Sequence, residues 1–285
     1  HIGDMENSET LSAFEESVSH YRHIFRIKPQ AVACDLHPGY LSTRYAESFA
    51  EKEQVPLVRV QHHYAHIASV LGALNRFNEQ PAIGLAFDGT GYGTDGTIWG
   101  GEALLCDRNG FQRLFYLEPF PLAGGDLAIR QPSRQALSIL HHLHIPWDAD
   151  LPPVSALQQE NPKALQVLKF QLDQKINCVD TSSMGRLFDA VSALIGIRQR
   201  ISYEGQAAVE LENIAGNHPA SGYPLSWSEE AIPLAPIFSA ILRDYRDRIP
   251  IAVISARFHQ SIVNLSLEIC IKIRENRGEN FPVVL

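Results

Sequence analysis

The sequence predicts an α/β protein, because strand and helix patterns alternate in its first part and a β-rich segment follows. Two short apolar runs, at 31–34 and 57–60, each precede a segment whose apolar residues have helical spacing. Such alternation is typical of parallel sheets. Three more apolar runs follow, at 83–87, 98–106 and 112–117. A glycine-rich turn between the first two of these predicts an antiparallel meander.

Composition limits the possible partners. The chain has 285 residues, of which 45% are hydrophobic and 20% charged, so it can bury the cores of about two domains. A net charge of −8 without a long basic run argues against nucleic acid. No apolar stretch is long enough to cross a bilayer and no signal peptide opens the chain. Four scattered cysteines without a Cys-x-x-Cys pair indicate buried thiols in a reducing cytoplasm.

We expect three parts along the chain. Residues 1–82 form a first α/β lobe, against which 250–285 pack back. Residues 83–217 form a second lobe with the glycine-rich hairpin, and 218–250 form an irregular insertion with a connecting helix. The first residue is His1 rather than methionine, and the apolar run at 281–285 resembles a strand cut at its tip. Both ends therefore indicate a piece of a longer protein.

The elements of the first part follow in order. Apolar residues at helical spacing predict a helix over 4–27, with Ser8 as a candidate N-cap and Lys28-Pro29 as its end. The strand at 31–34 leads into the polar loop 35–40, and open α/β sheets bind ligands in such loops. A helix and a strand are predicted next, at 42–53 and 57–60.

Two histidines begin the following helix. His62 and His66 are four residues apart, so one helical turn places both imidazoles on the same face. Asp88 stands where the strand at 83–87 would end, above the glycine turn. Two imidazoles and a carboxylate suit Zn, Fe or Mn and leave positions open for a substrate. The alternative is an ordinary helix surface. A His-Glu-x-x-His metalloprotease is a poor match, because position 63 is histidine.

The glycine-rich turn allows two interpretations. Residues 91–96 match the dinucleotide fingerprint G-x-G-x-x-G, but that fingerprint needs a helix after the glycines. A β-rich run follows instead, so we reject a Rossmann site. Backbone N–H groups of a glycine-rich hairpin can still bind phosphate.

The second half carries further candidates. Gly124-Gly125-Asp126 predicts a loop, beside which Arg130 and Arg134 could clamp a phosphate or carboxylate; the alternative is a plain helix start at Pro132. A helix over 182–195 is capped by Ser182 or Ser183, with Asp189 beside its buried face. Other helical segments are predicted at 151–175, 206–215 and 255–276, with irregular chain at 218–232.

Several of these motifs, in this order, resemble those of the HypF-type hydrogenase maturation carbamoyltransferases. The resemblance covers nearly the whole chain except 218–250. The residues that carry it are 1–7, 34–43, 62–66, 87–91, 124–128, 185–189 and 203–208.

The resemblance implies a fold and an activity. The fold would be Kae1-like, a two-lobed ASKHA (actin/Hsp70-like) fold with ATP in its cleft, here incomplete. Carbamoyl phosphate would deliver a carbamoyl group to ATP through another domain, giving carbamoyl-adenylate and pyrophosphate. The adenylate would carbamoylate the C-terminal cysteine of a HypE-type acceptor protein, whose thiocarbamate becomes a cyanide ligand of NiFe-hydrogenase.

The resemblance also implies roles for residues, although it assigns no catalytic residue. A divalent metal (Fe, Zn, Mn or Mg) would bind His62, His66 and Asp88. Asp189 would bond ribose hydroxyls and Gly205 would approach the nucleoside. Gly89, Gly91 and Gly93 would face phosphates, and Arg130 is our own suggestion for an anion contact.

Parts of the family pattern are missing here. A Ser-Gly-Gly nucleotide loop and a Gly-Asp-Gly-Gly stretch would follow Leu285, and acylphosphatase, zinc-finger and YrdC-like domains would precede the chain. We therefore expect this piece not to complete the reaction alone. Two related alternatives are a Kae1-type tRNA threonylcarbamoyl transferase and a small-molecule O-carbamoyltransferase. An alternative of another class is a non-catalytic, ATP-binding docking scaffold.

Overall fold

The structure is a computed structural model that describes residues 7–76, 80–225, 227 and 229–285. The helices are α1 (Ser8–Ile24), α2 (Leu41–Glu53), α3 (His62–Ala73), α4 (Asp126–Arg130), α5 (Pro132–His142), α6 (Pro152–Glu160), α7 (Ala164–Gln174), α8 (Met184–Leu194), α9 (Gln206–Ala215), α10 (Ala235–Arg246) and α11 (Ile251–Arg277). The strands are β1 (Val32–Asp35), β2 (Leu57–Val60), β3 (Ala82–Tyr92), β4 (Ile98–Asp107), β5 (Gly110–Leu117), β6 (Phe120–Ala123), β7 (Cys178–Thr181), β8 (Ala231–Ile232) and β9 (Val283–Val284).

The chain divides into two compact units. The first comprises His1–Ala65 and Gly91–Gly96, and the second comprises His66–Thr90 and Thr97–Leu285. Within the described ranges, none of the helices combines the length and the apolarity that a membrane span requires.

The first unit is built on two parallel strands. β1 pairs with β2 in a register that runs from Val32 opposite Leu57 to Asp35 opposite Val60. Because parallel strands end at the same edge, Asp35 and the residues after Val60 come together there. This register places Asp35 beside the start of α3, where its side chain meets His62.

The second unit is built on a mixed sheet with the strand order β6-β7-β4-β3-β9, in which β5 pairs with β4 and β8. The pairs β3–β9 and β4–β7 are parallel, whereas β4–β5 is antiparallel. The prediction that β4 and β5 belong to an antiparallel meander is therefore confirmed for this pair.

Helices of the second unit bury an apolar core against this sheet. α5 packs on α8, α8 on α9, and α9 on α11. The largest fully buried side chains include Phe120, Phe238 and Phe258, which come from β6, α10 and α11. This packing holds α8, which carries several candidate residues, firmly beside the sheet.

Many predicted elements are confirmed. The strand at 57–60 and the helix at 206–215 have the predicted bounds, and the helix over 182–195 is capped by Ser183, whose side chain accepts from the backbone N–H of Arg186. The first helix differs at its start: Asn7, not Ser8, is the N-cap and accepts from Thr10 N–H. The predicted start at Asp4 lies outside the described residues.

The glycine-rich segment is a strand and not a turn. β3 continues to Tyr92, so Asp88, Gly89 and Gly91 lie within it, and the turn comes later, where Gly96 N–H donates to Gly93 O. The lack of side chains at Gly89 and Gly91 instead lets other side chains pack closely against the backbone of β3. A Cβ on Gly91 would lie 2.4 Å from the His63 ring, so no larger residue fits there. The sequence predicts a turn at this glycine run, because the packing of His63 against Gly91 is a tertiary contact that neighbouring residues do not reveal.

The C-terminal segment has its described contacts in the second unit. There α11 packs on α9 and α10, β9 pairs with β3 at Ile83 and Gly84, and the side chain of Gln80 donates to the carbonyl of Asn280. The described part of 250–285 therefore lies in the second unit. The predicted division into lobes at 82/83 and 217/218 stays a prediction.

Candidate active site

The start of α3 carries the two histidines predicted to bind a metal. His62 and His66 lie one helical turn apart, so both imidazoles leave the helix on the same side. The Nε2 atom of His66 lies 3.6 Å from the Oδ2 atom of Asp88. Each of the three side chains offers one ligand atom, and these atoms lie within 4.8 Å of one another. The three predicted ligands therefore form one group.

Asp35 orients the first histidine, a role that the sequence did not reveal. The Nδ1 atom of His62 lies 2.7 Å from Oδ2 of Asp35, and the backbone N–H of His37 donates to Oδ1 at 2.9 Å. Burial raises the pKa of the Asp35 carboxyl, but these hydrogen bonds outweigh it and lower the pKa below its ordinary value. A histidine that donates Nδ1–H to a carboxylate ligates metals through Nε2.

The neighbouring His63 has a packing role. Its side chain is fully buried, and its Nδ1 atom lies 3.2 Å from Nε2 of Gln61. The same amide of Gln61 donates to the carbonyl of Tyr92. His63 fills the space that a side chain at Gly91 would occupy. The Cβ side of Gly91 thus faces a histidine ring, and the contact of its backbone with phosphate stays a prediction.

Asp88 and Gly89 are held against the start of α8. The hydroxyl of Ser183 lies 2.6 Å from the carbonyl oxygen of Asp88 and 2.9 Å from that of Gly89. The same hydroxyl accepts from the backbone N–H of Arg186 and so caps α8. A Cβ on Gly185 would lie 2.8 Å from the Cα of Gly89. The metal-ligand candidate Asp88 and the N-terminus of α8 are therefore directly connected.

Asp189 lies deeper than predicted. It was expected beside bound ribose, but its side chain is 2% exposed and its Oδ2 atom lies 2.9 Å from Nη1 of Arg186. Burial raises the pKa of the Asp189 carboxyl, and the nearby Arg186 cation only partly opposes this effect. The observed contact of Asp189 is thus an ion pair within α8.

Gly205 begins the next helix. Its φ of 76° lies in the left-handed region, which glycine adopts without strain, and it is the N-cap of α9. The preceding residue, Glu204, has its Oε1 atom 3.7 Å from where a Cβ on Gly89 would be, and Nη2 of Arg186 lies 3.0 Å from the same point. Two charged side chains, Arg186 and Glu204, therefore lie close to Gly89. Both belong to the motifs that were predicted to bind nucleotide.

The two arginines suggested as anion clamps differ. Arg134 is buried, and its guanidinium donates to the carbonyl of Ala123 and to the side chain of Gln171, so it serves the fold. Arg130 is exposed at the end of α4, and its carbonyl accepts from the N–H of Ile201. Its role as an anion contact stays a prediction.

A buried polar network beside the site was not predicted. The fully buried carboxylate of Glu102 accepts from the N–H groups of Gly100 and Gly101, from the hydroxyl of Ser182 and from Arg113. The guanidinium of Arg113 lies between two aromatic rings, 3.9 Å from the centroid of Trp99 and 4.0 Å from that of Tyr116. Because Ser182 precedes the cap of α8, this network braces the start of that helix.

Comparison with known proteins shows which family the chain matches. Residues 84–285 match the family described as the carbamoyltransferase Kae1-like domain, second subdomain, and residues 1–73 match the HypF Kae1-like domain. The fold and these matches define the class, a Kae1-like domain with an ASKHA-type α/β fold.

Individual relatives agree. Carbamoyltransferase HypF2 of Cupriavidus necator is 44% identical over 227 residues, which are 79% of this chain and 27% of that protein. Carbamoyltransferase HypF of Synechocystis sp. is 39% identical over an alignment of 291 residues that covers 94% of this chain and 36% of that protein. The chain belongs to the HypF family and spans about a quarter to a third of the length of these relatives.

Solved structures show the same fold. A crystal structure of full-length HypF in a phosphate- and nucleotide-bound form matches with a TM-score of 0.87 and 39% identity, over 98% of this chain and 43% of that one. A crystal structure of T. kodakarensis HypF matches with a TM-score of 0.79 and 34% identity, over 92% of this chain and 35% of that one.

Proposed function

We propose that this chain is the part of a HypF-type carbamoyltransferase that binds ATP and transfers a carbamoyl group. In the complete reaction, another domain hydrolyses carbamoyl phosphate to carbamate and inorganic phosphate, and the carbamate displaces pyrophosphate from ATP to give carbamoyl-adenylate. The C-terminal cysteine thiol of a HypE-type acceptor then takes the carbamoyl group, and AMP leaves. The resulting thiocarbamate serves cyanide ligand synthesis for NiFe-hydrogenase.

One observation carries this proposal. Asp88 contacts His66, and the next residue, Gly89, faces Arg186 and Glu204. A candidate cation ligand and a candidate phosphate-facing glycine are therefore consecutive residues of one strand. A site for nucleotide and cation together would have this arrangement, and the HypF crystal structure at 39% identity is nucleotide- and phosphate-bound.

The donor set fits a transition metal. Two imidazoles and a carboxylate are typical ligands of Fe, Zn and Mn, whereas Mg²⁺ prefers oxygen ligands, so it fits less well. The residues that would hold the cation are His62, His66 and Asp88. Such a cation would neutralise phosphate charge and polarise the carbamoyl oxygen.

The other residues position the reactants. Asp35 fixes the orientation of His62 through the 2.7 Å contact. Ser183 ties Asp88 and Gly89 to α8, whose capped N-terminus favours a negatively charged ligand. Because Gly89 has no side chain, Arg186 can approach its backbone closely, with Nη2 3.0 Å from where a Cβ would be.

The net charge of −8 supports a protein acceptor over tRNA. The cysteine spacing supports the cytoplasm as the place of reaction. The docking-scaffold alternative predicts ATP and acceptor binding without group transfer, and the experiment below separates it from the enzyme.

The test follows a labelled carbamoyl group. Full-length protein is incubated with labelled carbamoyl phosphate, ATP, a divalent cation and a HypE-type acceptor, and the label on the C-terminal cysteine is measured. We expect transfer by the wild type and its loss, by more than about hundredfold, in the double variant His62→Ala, His66→Ala. As a control, His141→Ala removes a histidine that pairs with Asp173 outside the site and should transfer normally.

Two results would contradict the proposal. Transfer by the double histidine variant at the wild-type rate would show that these imidazoles take no part. A wild-type protein that binds ATP and the acceptor but never labels the cysteine would support the scaffold instead.

A further inference from the structure

Arg186 carries a buried charge beside the proposed nucleotide site. Its side chain is 5% exposed, although arginine is almost never buried without a partner. Its Nε and Nη1 atoms are buried and form no hydrogen bond within the described part of the chain. A guanidinium has five N–H donors, so much of its bonding capacity is unused here.

Asp189 is the counterion of this arginine. Nη1 lies 2.9 Å from Oδ2 of Asp189, three residues further along α8, at an angle that does not make a hydrogen bond. The Asp189 side chain is itself 2% exposed. The carboxylate therefore holds the guanidinium in place by charge and lies behind it, away from solvent.

The third nitrogen of the guanidinium points at Gly89. Nη2 lies 3.0 Å from the position of a Cβ on that residue, so the guanidinium packs against the backbone of Gly89 and a side chain there would crowd it. Glu204 has its Oε1 atom 3.7 Å from the same position. Glu204 is exposed and can turn toward solvent, whereas Arg186 is confined.

A ligand that contacts this guanidinium must accept hydrogen bonds and should carry negative charge. Phosphoryl oxygens meet both conditions and bind guanidinium strongly. Building on the proposed function, we propose that Nη2 of Arg186 contacts a phosphoryl oxygen of the bound nucleotide at Gly89, and that Asp189 acts as a positioning residue for Arg186.

This assignment differs from the role implied by resemblance, in which Asp189 bonds the ribose directly. The two roles predict different ligand dependence. A ribose contact exists for adenosine, AMP and ATP alike, whereas a contact through Arg186 exists only for ligands that carry phosphate.

The test measures binding of ATP, AMP and adenosine to the full-length protein by calorimetry. Arg186→Gln and Asp189→Asn should each weaken ATP binding by about tenfold to a hundredfold and change adenosine binding by less than about twofold. The double variant should be no weaker than Arg186→Gln, because both changes remove the same contact.

Controls keep the result interpretable. Arg200→Gln removes an exposed arginine paired with Glu160 and should bind every ligand as the wild type does. If Arg186→Gln does not fold by circular dichroism, Arg186→Lys replaces it; this variant keeps the charge but not the planar fork, and it should lose ATP affinity to a smaller extent.

Equal losses for ATP and adenosine in Asp189→Asn, or additive losses in the double variant, would overturn the proposal in favour of a ribose contact. Unchanged ATP binding in Arg186→Gln would also overturn it. Failure of the proposed function looks different, because the wild-type protein itself would then bind no nucleotide.

Discussion

Asp35 is the residue on which the orientation of His62 depends. Its Oδ2 atom lies 2.7 Å from the imidazole Nδ1, and a backbone N–H holds its other oxygen. The carboxylate thus acts behind the candidate ligand, as partners of metal-binding histidines commonly do.

We expect Asp35→Asn to weaken binding of Zn²⁺ by about tenfold to a hundredfold, because the amide holds the ring less firmly and makes it less basic. Competition with a chelating dye on the full-length protein measures the affinity. Asp107→Asn is the control, since that carboxylate accepts backbone N–H groups in the turn between β4 and β5. An unchanged affinity for Zn²⁺ in Asp35→Asn would refute this role.

Glu102 should make stability depend on pH. Burial raises the pKa of its carboxyl above the ordinary value, although bonds from Ser182 and Arg113 oppose the shift. The folded protein therefore keeps this proton to a higher pH than the unfolded chain, whose glutamate pKa is about 4.3. The stability from this proton is present below about pH 4.3 and is lost as the pH rises through the folded pKa.

Glu102→Gln removes the titration. The free energy of unfolding of the wild type minus that of the variant should therefore fall with rising pH, by at most about 1.4 kcal/mol per pH unit. Urea denaturation between about pH 4 and pH 8 measures this difference. Glu16→Gln, at an exposed position of α1, is the control. A difference that stays constant or rises with pH would contradict the assignment.

Among the elements, α8 and β3 approach each other more closely than side chains permit. A Cβ on Gly185 would lie 2.8 Å from the Cα of Gly89, which is a backbone atom and cannot yield easily. Gly72, in α3, has nothing within 4 Å of its Cβ position. The two glycines therefore form a matched pair.

We expect Gly185→Ala to lower the free energy of unfolding by about 1–3 kcal/mol, because the strand and helix must separate. Gly72→Ala should raise it by about 0.5–1 kcal/mol, as alanine favours helix more than glycine does. Urea denaturation of both variants measures these changes in the free energy of unfolding. Equal stabilisation by the two alanines would show that α8 and β3 are not in such close contact.

Across the whole molecule, burial is uneven. Residues 132–140 of α5 are all buried, whereas α1 has no buried residue. Local stability follows burial, since segments with few buried contacts open at low free energy.

Amide hydrogens of α5 should therefore exchange more slowly than those of α1, by more than about a hundredfold in the protected central turns. Hydrogen exchange followed by mass spectrometry measures both helices in one sample. No variant is needed for this comparison, because α1 and α5 belong to the same wild-type protein. Similar protection of the two helices would contradict the burial seen here.

Helix and strand periodicity alone predicted much of this protein. The bounds of β2 and α9, the Ser183 cap and the one-turn spacing of His62 and His66 are local properties, so they can be read from neighbouring residues. The motifs near Asp88, Asp189 and Gly205 also lie around Gly89 as their family resemblance suggests, although their roles stay predictions.

Only the tertiary structure decided which distant groups meet. Asp35 pairs with His62 because β1 and β2 share one register, and Glu102 meets Ser182 because β4 lies beside β7. Gly185 has no room for a side chain because the backbone of Gly89 lies against it. The burial of Arg186 with Asp189 likewise depends on the packing around α8. Periodicity records how each residue relates to its neighbours in the chain, whereas these contacts join segments far apart, so they arise only when the chain has folded.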